Sequence, residues 1–319
     1  MTRFSTLDGR AGGLMALVCA ILALQQIAIK AAGADMAPVL QVAIRSGIAA
    51  LFVGGYLRYK GMGLLPQKGA WLAGLVAGFL FTLEFFFVAE GLLLTNASHM
   101  VTMLYTAPAF AALGLHILIP EERLNRLQWG GMGLAFCGVA VAIFDPGATR
   151  SPLGGSMLLG DFLGLLAGIS WGATTVIIRL KLSDTPATQT TFIQLATCFC
   201  LLLPGAVLSG QSAFVMTGIV WASLVFQILA VCVIGMLLWF WLLTVYPASQ
   251  LGVLSFLTPV FGIAFGIGLL GESVAPKFLA GALLVLAGIA LVSGWRWFSR
   301  HIAWRSLSQS HRNHKRRRS

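Results

Sequence analysis

The chain has 319 residues, 58% hydrophobic and 10% charged, with a mean hydropathy of +0.89. Soluble domains are about 45–50% apolar and about 25% charged, so this composition excludes a disordered chain, a disulfide scaffold and nearly every soluble fold. Net charge is +11, yet residues 296–319 alone hold eight basic side chains (Arg296, Arg300, Arg305, Arg312, Lys315, Arg316, Arg317 and Arg318) and no acid.

About 20 apolar residues cross a bilayer core as a helix. Ten such segments follow in chain order: 12–31, 37–57, 71–94, 98–119, 127–144, 160–180, 188–208, 217–244, 249–270 and 276–297. They predict an all-α integral membrane protein with ten transmembrane helices. Turn chemistry or charge ends each one, as at Ala34-Asp35, Pro120-Glu121-Glu122-Arg123, Asp145-Pro146-Gly147 and Gly271-Glu272. The longest connection, 145–159, is rich in Gly, Pro and Ser and divides the chain. The expected organisation is a short N-terminus (1–11), a first unit (12–144), a linker (145–159), a second unit (160–297) and a basic tail (298–319).

An even number of spans puts both termini on one side. Arg3, Arg10, Arg58, Lys60, Lys68, Arg123, Arg126, Arg179, Lys181 and the tail then share that side, against Lys30, Arg150 and Lys277 on the other. Basic loops stay in the cytoplasm, so both termini are expected there and the 145–159 linker outside. The tail reads as a cytoplasmic flank in contact with anionic lipid headgroups. No folded domain presents it to nucleic acid, so no nucleic-acid partner is expected.

A gapless shift of 151 residues reveals an internal repeat. It sets Ala97-Ser98 on Ala248-Ser249, Pro108 on Pro259, Phe110 on Phe261, Glu121 on Glu272 and Gly130 on Gly281. Each unit then has five spans. Five is odd, so the second unit enters the membrane inverted. Inverted repeats are an architecture of secondary transporters, whose sites lie between repeats near the bilayer midplane.

The run Pro247-Ala248-Ser249-Gln250, Leu257-Thr258-Pro259 and Gly271-Glu272 resembles the second half of an EamA-type member of the drug/metabolite transporter superfamily. Asn96-Ala97-Ser98, Pro108 and Glu121-Glu122-Arg123-Leu124 match in the first half, with Pro38 to Arg45 and Trp171-Gly172-Ala173 agreeing. Span 1 departs from the family pattern, with Leu22-Ala23-Leu24-Gln25-Gln26 where Trp-Gly-Ser-Asn is frequent. The resemblance covers about 12–297 and implies a ten-helix transporter, often an exporter of amino acids, metabolites or drugs; an inner-membrane location is expected.

Two enzyme motifs fail on context. Gly168-Ile169-Ser170-Trp171-Gly172 lies inside a span, without the strand–turn–helix of a nucleophile elbow. Gly266 to Gly271 fits a dinucleotide fingerprint but follows no strand. Cys19, Cys137, Cys198, Cys200 and Cys232 sit in apolar stretches without metal-ligand spacing, so neither metal nor cofactor is expected.

Intramembrane ionisable groups are costly and often functional. Glu84 lies roughly 15 Å from the end of span 3, where a carboxyl suits a substrate cation or a coupling proton. Arg45 and Glu90 are candidates for a structural ion pair, and Arg45 could equally meet Glu84. Candidate cavity residues are Gln25, Gln26, Glu84, His99, Tyr105, Trp171, Trp239, Gln250 and Phe256. Pro108 and Pro259, mid-span in matching helices, are hinge candidates because proline deletes an intrahelical hydrogen bond. Gly160, Gly164, Gly168 and Gly172 line one helix face, where another helix can approach closely. These residues point to a secondary transporter of a small neutral or zwitterionic molecule, rather than a membrane-embedded enzyme or a channel-like facilitator. A homodimer stays open.

Overall fold

The computed structural model describes residues 9–66, 69–143, 156–246, 251 and 254–292. The basic tail and most of the 145–159 linker lie outside them. Among the described residues the chain is helical, apart from one isolated bridge between Met36 and Phe214.

The first unit contains α1 (Gly9–Ala31), α2 (Pro38–Tyr59), α3 (Trp71–Leu92), α4 (Ala97–Leu104), α5 (Ala107–Leu118) and α6 (Arg126–Ile143). The second contains α7 (Met157–Lys181), α8 (Ala187–Leu208), α9 (Gly218–Val225), a π-helical stretch (Phe226–Gly235), α10 (Met236–Val245), α11 (Leu257–Leu270) and α12 (Pro276–Val292). Among the described residues, eight helical spans are long and apolar enough to cross a membrane, with α4 and α5 taken together; α11 and α12 are apolar but shorter.

Local chemistry sets the helix starts. Pro38 opens α2, where its missing N–H costs nothing. Ser156 and Thr217 cap α7 and α9, accepting from the backbone N–H of Leu159 and Val220 at 3.4 Å. Asn96 precedes α4 yet gives no side-chain cap; a carboxylate from the other unit supplies it, as described below.

Span 4 is broken, not merely kinked. α4 stops at Leu104, residues 105–106 form a turn, and α5 resumes at Ala107. Thr106 donates its hydroxyl to the Met103 carbonyl at 2.6 Å across that turn. Pro108 therefore sits in the first turn of a new helix, where no i−4 bond is demanded of it. The second unit repeats this, with a turn at 255–256 and Pro259 in the first turn of α11.

The two units interleave. α3 packs along α7, α2 along α8, and α1 and α4 against α11. The predicted glycine face of α7 runs against the broken span: a Cβ at Gly168 would lie 2.6 Å from Thr106 Oγ1 and 2.9 Å from the Met103 carbonyl oxygen. α6 meets α12 in the same manner, Gly138 facing the Gly281 carbonyl and Gly131 that of Gly288. Such contacts substitute for the hydrophobic drive that lipid cannot supply. Trp71, Trp129 and Trp221 are exposed near helix ends, as interfacial anchors are.

Candidate substrate cavity and the polar cluster beside it

A cavity of about 320 Å³ opens between the units. Leu22, Gln25 and Gln26 enter from α1; Phe81, Glu84 and Phe85 from α3; Leu104 and Tyr105 from the break in span 4. Trp171, Thr174, Thr175 and Ile178 come from α7 and Gln194 from α8. The break matters here, because the turn at 105–106 places Tyr105 edge-on to Trp171, ring centroids 5.3 Å apart.

Glu84 is 6% exposed and forms no hydrogen bond or ion-pair contact among the described residues. Arg45, 3% exposed, lies near enough to interact through space but stacks over the Phe85 ring at 4.3 Å instead of meeting the carboxylate. Its Nε has no hydrogen-bond partner among the described residues, and neither has the buried Oε1 of Gln26. Thr174 and Thr175 spend their hydroxyl protons on α7's own carbonyls, at 2.9 and 3.0 Å.

A different polar cluster ties the units together at the membrane face carrying the 32–37, 93–96 and 271–275 connections. Gly271 ends α11 in the left-handed conformation, at φ 65°, which favours glycine. That turn delivers Glu272 to the start of α4, where it accepts from the N–H of Ala97 at 2.6 Å and of Ser98 at 3.0 Å, and from Ser98 Oγ at 2.6 Å. A carboxylate there meets the positive end of the helix dipole. Lys30 Nζ lies 3.6 Å from Glu272 and donates to the Thr95 carbonyl. One turn deeper, Asp161 of α7 accepts from Thr95 Oγ1 at 2.5 Å and meets His99 Nδ1 at 3.0 Å. The His99 ring stacks on Phe278 of α12, centroids 3.5 Å apart.

A third buried network joins α1, α2 and α9. Gln41 donates to the carbonyls of Ile29 and Met36, and its Oε1 accepts from Ser223 and Gln227.

The chain matches the EamA-like transporter family over residues 10–144 and 158–294. The chain belongs to that family. Two family repeats thus occupy the two units, and the protein is a multi-span membrane transporter, not an enzyme. It is 30% identical over 209 residues to a Salmonella typhimurium protein named "Probable amino-acid metabolite efflux pump", covering 62% of this chain and 68% of that one. It is 29% identical to "Protein RarD" of Streptomyces exfoliatus, covering 67% of this chain and 64% of that one. A solved crystal structure shares the fold at a TM-score of 0.61 and 19% identity, covering 88% of this chain and 94% of that one.

Within this EamA-like transporter, Gln25, Gln26, Glu84, Tyr105 and Trp171 come together at the cavity. His99 is instead held by Asp161 and Phe278. Phe256 is buried in a core beside Phe278, and Trp239 packs near Met15 and Tyr246, neither lining the cavity. Gln250 lies outside the described residues. Arg45 and Glu90 do not pair: Glu90 accepts from Gln211 Nε2 at 2.9 Å while Arg45 turns to Phe85. Asp161, Glu272 and Gln194 were not among the sequence candidates. Asp161's signal is an acid inside the glycine-rich face of span 6, and Glu272's is its match to Glu121 across the repeat.

Proposed function

We propose that this protein is a secondary active exporter that carries a small neutral or zwitterionic metabolite, an amino acid or related compound, or a drug, by alternating access. The observation that carries the reading is a cavity built from both repeats, with polar side chains inside it left without hydrogen-bond partners among the described residues and a hydrogen-bonded cluster on one side of it. Ile178 lies one turn from the Lys181 end of α7, whereas Asp161 lies near its opposite end. The cavity therefore extends away from the cluster.

The basic-residue asymmetry supports an inner-membrane location with both termini cytoplasmic and the cluster on the outer face. In that orientation the conformation is sealed outside. Glu84 is the candidate for proton coupling, and the basic tail for contact with anionic headgroups. Pro108 and Pro259, at the restart of each broken span, are the candidate hinges. Export also fits the name of the Salmonella relative.

Purified protein in proteoliposomes tests the reading. Saturable flux with counterflow of labelled against unlabelled amino acid is expected; non-saturating flux without exchange would indicate a channel. A C-terminal reporter should score cytoplasmic and a tag in 145–159 external; the same side for both would overturn the inverted topology.

A further inference from the structure

The charges of the cavity say more about its ligand than its size does. Among the described residues its lining contains one carboxylate, Glu84, and no Lys, Arg or His. Arg45, which interacts with Glu84 through space, stacks on Phe85 and is not part of the lining. Among the described residues, the buried Glu84 accepts no hydrogen bond and the Oε1 of Gln26 has no donor. A buried acceptor lacking a donor carries a desolvation cost that an incoming donor removes. The edge-to-face Tyr105–Trp171 pair offers π-faces, which attract cations and cover apolar rings.

Carboxylate, amide oxygen and aromatic face together make an ammonium site. A ligand carboxylate would meet only neutral amide and hydroxyl donors, and the hydroxyls of Thr174 and Thr175 are already bonded to backbone.

Resting on the reading of this cavity as the substrate site, we propose that Glu84 selects substrates by a protonated amine and that a substrate carboxylate is dispensable. Amines bearing one aromatic or branched apolar group are carried, whether or not they keep an amino acid's carboxylate; the corresponding deaminated acids are not. The volume of about 320 Å³ suits a ligand of that size.

Three ligands of one shape separate the possibilities: phenethylamine, phenylalanine and 3-phenylpropionate, titrated calorimetrically against the full-length protein in detergent. Phenethylamine is expected to bind at least as tightly as phenylalanine, and phenylpropionate not measurably. Glu84→Gln should weaken phenethylamine by about 10- to 150-fold, the range for a charge-assisted hydrogen bond. Glu84→Asp retracts the charge by about 1.5 Å and should weaken binding less while keeping the ligand order. Phenylpropionate binding as well as phenethylamine, no binding by any of the three, or Glu84→Gln affinity within twofold of the parent would each overturn the proposal. Glu84-dependent binding without flux in proteoliposomes would overturn only the transport reading. Flux that ignores Glu84 would overturn only the ammonium site.

Discussion

Two buried carboxylates of this protein meet opposite fates. Glu272 accepts three hydrogen bonds at the start of α4 and lies beside Lys30, whereas the buried Glu84 accepts none among the described residues. Both sites carry the cost of withdrawing a charge from water. One group recovers that cost through hydrogen bonds within the protein; the other has only the through-space pull of Arg45 and whatever enters its cavity. A polar group satisfied internally holds helices together; one left unsatisfied beside a cavity is available to a ligand.

That contrast is most exposed to Glu272→Ala. It strips acceptors from two backbone N–H groups and a hydroxyl and leaves Lys30 without its carboxylate. A loss of about 3–5 kcal/mol is expected, read as a fall in unfolding temperature in detergent. Glu272→Gln keeps one acceptor oxygen and should fall between the two.

Asp161→Asn should cost less, about 1–3 kcal/mol, because Thr95 can still donate to the amide oxygen. A loss equal to that of Glu272→Ala would mean that the cluster acts as one unit and not as two carboxylate centres.

Gly168→Ala tests the packing that positions the cavity's Trp171 against the broken span. The added methyl would meet Thr106 Oγ1 and the Met103 carbonyl, costing about 1–3 kcal/mol.

Glu84→Gln is expected to change stability by less than about 1 kcal/mol, since no bond is lost. A large loss, recovered by adding Arg45→Gln, would show that Glu84 and Arg45 stabilise each other through space and would narrow the difference between the two carboxylates.

An equally small stability effect is expected for Pro108→Ala and Pro259→Ala. Each proline occupies a first helical turn, so unfolding should shift by less than about 1 kcal/mol. Transport turnover should fall in both, and by similar factors. Unchanged turnover in both would make the breaks static.

The helical, membrane-spanning character was legible because each segment is apolar and bounded by charge or turn residues; of the ten expected spans, eight are membrane-length helices among the described residues. The repeat was legible from Ala97-Ser98, Pro108 and Glu121 recurring 151 residues later. The partners of the buried polar groups were not. In a soluble helix the apolar stripe marks the buried face; in lipid both faces are apolar, so nothing in the sequence says which way His99 or Gln41 points. His99 thus read as a cavity residue, although Asp161 holds it. The prolines marked the broken spans, but the turns lie two to four residues before them, at 105–106 and 255–256. Gln25, Gln26 and Glu84 were legible from cost alone, since polar side chains at membrane depth need a protein or cavity environment.

The π-helical stretch Phe226–Gly235 has a consequence for how span 8 tolerates changes of length. Its turns close five residues back instead of four, so the segment stores surplus chain. Deleting one residue there, beyond Gln227, can be absorbed by tightening toward α geometry, leaving α10 near its present bearing. The same deletion in the middle of α7 would turn everything beyond it by about 100° and swing Thr174 and Ile178 out of the cavity wall. Deletion scanning across the two spans should therefore find a tolerant window in one and none in the other.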